Sequence, residues 1–338
     1  MTAGGDLRPP ARLHLGGIAE RVPEPRLRGR REEGEGLHVA HDPAPGSVVG
    51  LGILDGGGAA LGCAVANSQA PTIDAIAACC ARIDAMCAGL DEAGWHRPTA
   101  LPAWDVKDVV GHLGSLESML LGLDEPAHEP AAIAHVRNPL GHLNERMVDR
   151  RRSWSGADVL AEFRETTGLR LEQLRNLDEA ALADEVPSPR GGVVGQGDFI
   201  AIRLWDYVVH ELDIGEALGL DQDAAVDTPS GRRVLDEMLM LLPRGLAKGG
   251  ATEGTCVALD IGPPLPRRTA ASVQAGRGVP ADPAAGKATL HLRASPVVFM
   301  RVASGRRDGA TAIDCGEVVV DGDAELAARI LTAMNVIP

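Results

Sequence analysis

The sequence predicts an α+β multi-domain chain, a helical bundle followed by a small α+β domain. Three observations carry that reading. Between residues 72 and 220, apolar residues recur at alternating three- and four-residue spacing, the period of amphipathic helices. After Leu220, segments alternating apolar and polar residues enter, as strands with one covered face do. Residues 1–70 hold neither period and are dominated by Pro, Gly, Arg and Glu. The expected division is therefore a leader over 1–70, a bundle over 71–222 and an α+β domain over 223–338. A length of 338 residues fits two folded domains.

The leader's composition cannot bury enough apolar surface to offset ordering entropy, so disorder is expected there. Too early a choice of start codon would leave the same signature. From Thr72, the residues Ile73, Ile76, Cys80, Ile83, Cys87 and Leu90 predict a first helix, ended by Gly94. Pro98 and Pro102 mark a loop. Asp105 is a natural N-cap, with Asp108 near the positive helix end. The second helix then runs through Val106, Val109, Val110, Leu113, Leu116 and Leu120. A short helix is expected from Leu140 to Arg152. Another starts at Ser155 and Asp158 and continues through Leu160, Phe163, Thr167, Leu171, Leu174 and Leu177. Residues 184–197 are rich in Pro and Gly and lead to a long, mostly apolar helix from Phe199 to Leu220. These are the parts of a helix bundle.

Beyond it, Val234 to Leu242 reads as one more helix, stopped by Pro243. Cys256 to Ile261 and Ala288 to Ala294 read as strands, and Pro296 opens a helix that ends at Gly305. A strand over Glu317 to Val320 turns at Asp321-Gly322-Asp323 into a final helix through Leu326, Ile330 and Leu331. No glycine-rich phosphate loop lies between a strand and a helix.

A formal net charge of −14 argues against non-specific nucleic-acid binding and against attraction to anionic membranes. The apolar stretch over residues 46–66 is broken by glycines and Asp55, which makes it a poor membrane span. The 6 cysteines form no CxxC pair, so reduced thiols and a cytoplasmic location are expected. Scarce Lys beside abundant Arg, Ala, Gly and Pro is the codon bias of a high-GC genome.

The long helix carries the chemistry. At about 100° per residue, Asp206, His210 and Asp213 fall within a sector of roughly 60°. Phe199, Ile202 and Val209 share that side, with Arg203 at its edge. Burying a charge is costly unless it is paired or bound to a metal. Two readings stay open: an internal ion pair between Asp206 and His210, or a metal site. On the second helix, His112 lies close to the apolar stripe, where a lone histidine is more often a hydrogen-bonded core residue than a ligand. His96, His128, His135 and His142 are further histidines that could approach.

Two stretches then bear a resemblance. PTALPAWDVKDVVGHLGSLE and LWDYVVHELDIGEALG resemble the two signatures of the mycothiol-dependent maleylpyruvate isomerase family, and the closing GDAELAARILTAMNV is similar to the end of its C-terminal domain. The resemblance covers residues 70–338. It implies a DinB-like four-helix bundle followed by a sterol-carrier-protein-like α+β domain, the helix near Leu140 then being an accessory. It also implies a divalent metal, zinc, held by His112, Asp206 and His210. The middle position is usually glutamate in the family. Aspartate is one C–C bond shorter, and Asp213 on the same face is the natural substitute, although the family pattern makes it a structural partner.

Two imidazoles, a carboxylate and an open position are the ligand set of a catalytic zinc site. Such a metal can deprotonate a bound thiol or lower the pKa of water to near 7. The resemblance assigns the open position to the thiol of mycothiol, the low-molecular-weight thiol of actinobacteria. The chain is thereby expected to be an isomerase or S-transferase acting on a small electrophile, as a monomer or homodimer. The competing expectation is a non-catalytic bundle that binds a metal or small ligand. Arg306, closing a short helix of the second domain, is the candidate catalytic group for an anionic substrate or the carboxylate of mycothiol. A solvated surface arginine is the plain alternative.

Overall fold

A computed structural model describes residues 67–123, 126–130, 136–189, 191–282 and 288–335. Residues 1–66 of the expected leader lie outside them, as does His135.

The helical half begins with α1 (Ala70–Cys87). Just ahead of it, Asn67 Nδ2 donates to the carbonyls of Leu174 and Leu177, which ties this residue to the end of the fifth helix's segment. The helix stops at Cys87 rather than at Gly94, which belongs to a separate short turn, α2 (Glu92–Trp95). Helix α3 (Val106–Leu120) starts as the sequence predicts: Asp105 accepts from the Asp108 N–H and Asp108 accepts from the Asp105 N–H, a reciprocal capping box. Next come α4 (Pro139–Arg151), capped by Asn138, and α5 (Gly156–Arg175), capped by Ser155. A short turn α6 (Glu179–Ala183) and a small antiparallel hairpin, β1 (Glu185–Pro187) with β2 (Val193–Gly195), occupy the Pro- and Gly-rich stretch. The hairpin delivers the chain into α7 (Gln196–Leu218), which ends where Gly219 adopts a left-handed φ of 72°.

Helices α1, α3, α5 and α7 pack on one another as a four-helix bundle, and α4 lies against α3 as an accessory. The apolar part of their shared core includes Ile83, Val109, Val110, Leu113, Phe163, Leu204 and Tyr207, all buried. The α3–α5 contact is close because position 114 is glycine. A Cβ there would stand 3.2 Å from the Phe163 backbone.

The second half opens with α8 (Gln222–Val226), α9 (Pro229–Leu239) and α10 (Leu242–Lys248). Pro243, expected to stop a helix, sits in the first turn of α10 instead, where its missing N–H costs nothing. Strands β3 (Cys256–Ile261), β4 (Arg267–Gln274) and β5 (Arg277–Ala281) precede β6 (Leu290–Ala294). Then follow α11 (Pro296–Ala303), α12 (Gly309–Asp314), β7 (Val318–Asp321) and α13 (Ala324–Met334). The sheet has five strands in the order β5-β4-β3-β6-β7 and is mixed, its one parallel pair being β3 with β6. Strands β4 and β5 were not expected. Their Ala, Ser and Thr give little apolar contrast, and Pro280 is tolerated because β5 is an edge.

The α+β half meets the bundle where α11 packs on α8 and α9, and α9 packs on α1 and α7. No helix among the described residues is long and apolar enough to cross a membrane. Cys79, Cys80, Cys87, Cys256 and Cys315 are free thiols.

Candidate metal centre

Helices α3 and α7 face each other in the bundle and bring three side chains together. His112 comes from α3. Asp206 and His210 come from successive turns of α7, where a four-residue spacing places them one above the other. Nε2 of His112 lies 3.6 Å from Oδ2 of Asp206, and Nε2 of His210 lies 3.4 Å from Oδ1 of the same carboxylate. The imidazole centroids are 5.0 Å apart at 67°. One donor atom from each residue falls within 4.8 Å of the others. Among the described residues, this is the one place where three such groups converge.

The residues fit a metal on the evidence of their own hydrogen bonds. Nδ1 of His210 lies 3.0 Å from Oδ2 of Asp213. An ionised carboxylate only accepts, so Nδ1 carries the hydrogen, and in the neutral ring Nε2 keeps its lone pair. That lone pair faces an oxygen of Asp206, a second acceptor, and only a proton or a cation between them resolves the contact. Nδ1 of His112 is buried with no protein partner. Two donors each about 2 Å from a tetrahedral zinc lie roughly 3.3 Å apart, close to the two spacings measured. Asp206 keeps 29% of its side-chain surface exposed against 4% for His112 and 5% for His210. The trio therefore opens to solvent beside the carboxylate.

The electrostatics favour the charged carboxylates. Burial raises Asp206, but Arg203 and then His210 outweigh it and hold the group well below the usual range. Asp213 is likewise lowered, burial being outweighed by Arg306 and His210. Burial pushes His210 down, yet Asp206 and Asp213 leave it raised overall. His112 is lowered, because burial dominates the pull of Asp206.

Around the trio stands a second layer that the sequence reading missed. Arg203 donates through Nη1 to Asp206 Oδ2 and, through Nε at 3.1 Å and Nη2 at 2.6 Å, to Glu117 Oε1. Tyr207 donates its hydroxyl to the same oxygen at 2.9 Å, and Arg170 Nε lies 3.4 Å from Glu117 Oε2. Arg203 thus holds Asp206 by Oδ2, the oxygen that also faces His112, while Glu117 holds Arg203. A signal for this existed: Glu117 follows Leu113 by four residues and precedes Leu120 by three, so it occupies a place on the apolar stripe of α3. Trp104 borders His112, with ring centroids 5.3 Å apart, and is fixed by its Nε1–H to Glu145 Oε2 at 2.9 Å.

Of the other residues singled out from sequence, Asp213 touches His210 from the side away from Asp206, as a partner of the ligand rather than a member of the trio. Arg306 does not join the trio either. Its guanidinium lies on Asp213, with Nε 3.3 Å from both oxygens and Nη2 3.1 Å from Oδ2. His96 is paired with Asp105 at 2.7 Å, His128 with Asp149 at 2.7 Å, and His142 lies 3.9 Å from Glu129.

Residues 76–215 match the family described as the mycothiol maleylpyruvate isomerase N-terminal domain, and residues 244–335 match the SCP-2 sterol transfer family. Among solved structures, a mutant of the mycothiol-dependent maleylpyruvate isomerase aligns at 16% identity over 74% of this chain and 92% of its own, with a TM-score of 0.47. A second structure of that isomerase aligns at 18% identity over 70% and 89%, with a TM-score of 0.46. Sterol carrier protein 2 from Yarrowia lipolytica, in its apo form, aligns at 13% identity over 30% and 88%, with a TM-score of 0.24. No curated protein matches.

Proposed function

Because the chain belongs to the mycothiol maleylpyruvate isomerase N-terminal domain family over residues 76–215, joined to an SCP-2 domain over 244–335, we propose that it is a zinc-dependent enzyme of thiol chemistry. Its thiol is mycothiol and its substrate a small electrophile, either isomerised as maleylpyruvate would be or coupled to the thiol. The observation that carries the reading is the convergence of His112, Asp206 and His210, with Nε2 of His210 facing a carboxylate oxygen.

His112, Asp206 and His210 would hold the ion, and when bound it would supply a Lewis acid that keeps a thiol deprotonated near neutral pH. The chain's own groups do the remaining work. Asp213 fixes the tautomer and ring plane of His210, as carboxylate partners of metal-ligating histidines do. Arg203, anchored on Glu117, orients Asp206. Trp104 walls the His112 side. The exposed flank of Asp206 leaves an approach for thiol and electrophile, and the buried opposite side keeps bulk water away.

The test is turnover by zinc-loaded protein supplied with mycothiol. Loss of the maleylpyruvate chromophore, or loss of free thiol in the presence of an electrophile, is the expected result, and His112→Ala should abolish it. Zinc-loaded protein that turns over nothing with mycothiol would instead support a non-catalytic metal-binding bundle. One observation favours that second reading: Asp206 is shorter than the glutamate usual in this family and already shares an oxygen with Arg203.

A further inference from the structure

The side chain that steers His210 is itself steered from the other half of the chain. Arg306 follows α11 in a turn made possible by Gly305, whose φ is 74° and where a Cβ would stand 2.5 Å from Asn335. The turn pins Arg306 at both ends. Its N–H donates to the Arg301 carbonyl at 2.8 Å, and Nη1 donates to the Ser304 carbonyl at 3.0 Å. From there, Nε and Nη2 reach across 93 residues of sequence to Asp213. Both partners are buried, at 8% and 3% of side-chain surface. Asp213 Oδ2 in turn receives the Nδ1–H of His210. A continuous line of hydrogen bonds therefore runs from the α+β half, through one carboxylate, to an imidazole of the trio.

We propose that Arg306 is a positioning residue of the metal centre, acting through Asp213 on His210, and that docking of the α+β half and metal binding are thereby linked. The inference rests on the metal reading above. Without Arg306, Asp213 loses the guanidinium that fixes both its oxygens and can rotate away from His210, whose ring plane and tautomer are then unset. Linkage is reciprocal, so an ion that needs an ordered His210 also favours the docked arrangement that orders it. The same interface supplies its own control. Arg301 of α11 contacts Glu216 of α7 at 2.5 Å, on the same face of the same helix one turn further on, and touches no member of the trio.

The experiment is a competition titration of Co2+ against a chromophoric chelator, on the full chain, with wild type, Arg306→Ala, Arg306→Lys, Asp213→Asn and Arg301→Ala. Partners of metal-ligating histidines are typically worth about 10- to 100-fold in metal affinity. Arg306→Ala and Asp213→Asn should show a loss of that order, Arg306→Lys a smaller one and Arg301→Ala none. The rise in Tm on saturation with Co2+ should shrink in the same order. Equal affinity in wild type and Arg306→Ala overturns the proposal, and so does an equal loss in Arg301→Ala, which would mean that the interface as a whole is felt. If Arg306→Ala proves unfolded by circular dichroism, wild-type affinity in both Arg306→Lys and Asp213→Asn overturns it. A wild type that binds no Co2+ removes the metal reading itself and this inference with it, an outcome distinct from the others because no variant is then needed to see it.

Discussion

Glu117 is the hinge of the buried network, and removing it has a calculable consequence. In Glu117→Ala, Arg203 loses two charge-assisted hydrogen bonds, at 3.1 and 2.6 Å, and the Tyr207 hydroxyl loses its acceptor at 2.9 Å. Arg170 loses its nearest carboxylate, at 3.4 Å. Glu117 and Arg203 are 3% and 7% exposed, so water does not replace what is lost. Breaking a buried ion pair by deleting one partner costs about 3–5 kcal/mol, and an orphaned hydroxyl adds about 1–3 kcal/mol. The two overlap, because Arg203 and Tyr207 share one oxygen, so about 4–5 kcal/mol is expected. At about 2–4 °C per kcal/mol for a chain of this size, Tm should fall by roughly 8–20 °C. Glu117→Gln, which keeps an acceptor but not the charge, should fall between. A second effect follows: Arg203, released from Glu117, has only Asp206 left to pair with and competes harder for it, so metal affinity should fall too. The assay is thermal unfolding followed by circular dichroism, beside a metal titration. A loss below about 1 kcal/mol, the range of an exposed ion pair, would refute the network as described.

Three further outcomes are expected. Burial, and then the neighbouring charge of Asp105, push the Asp108 carboxyl up to about 6 from 3.8. The folded chain therefore holds that proton more firmly than the unfolded one, and stability falls as pH rises through this window. Asp108→Asn should gain in Tm relative to wild type between pH 4 and pH 7, and a constant difference would refute the assignment. Gly156→Ala would drive a Cβ into the Trp95 indole; overpacking of this kind costs about 1–3 kcal/mol in chemical denaturation, and an unchanged midpoint would contradict the packing. Cys79, Cys80 and Cys87 are pushed up to about 12, mainly by burial. They should resist a disulfide reagent at pH 8 until denaturant is added, while exposed Cys315 reacts at once.

The helices of the bundle were legible because their signals are local. The Asp105–Asp108 pair and Ser155 announce α3 and α5, and the apolar period of each survives in its buried face. The trio was legible in part for the same reason: Asp206 and His210 stand one turn apart on a face shared with Phe199, Ile202 and Val209, and the resemblance supplied His112. What escaped notice depends on distant partners. Glu117 and Arg170 each break an apolar stripe, but that they answer each other and Arg203 follows only from the crossing of three helices. Arg306 could be placed at the end of a helix, yet its target lies 93 residues earlier. Strands β4 and β5 are held by a neighbour's backbone more than by their own side chains, so their composition announces little.

The central claim is that His112, Asp206 and His210 form a metal centre. It is met most directly by elemental mass spectrometry of protein purified without a histidine tag, beside His210→Ala. About one zinc per chain, lost in the variant, is the result expected of a site with these ligands. No metal in the wild type, even after zinc is supplied, would contradict the claim and leave Asp206 and His210 as a buried ion pair.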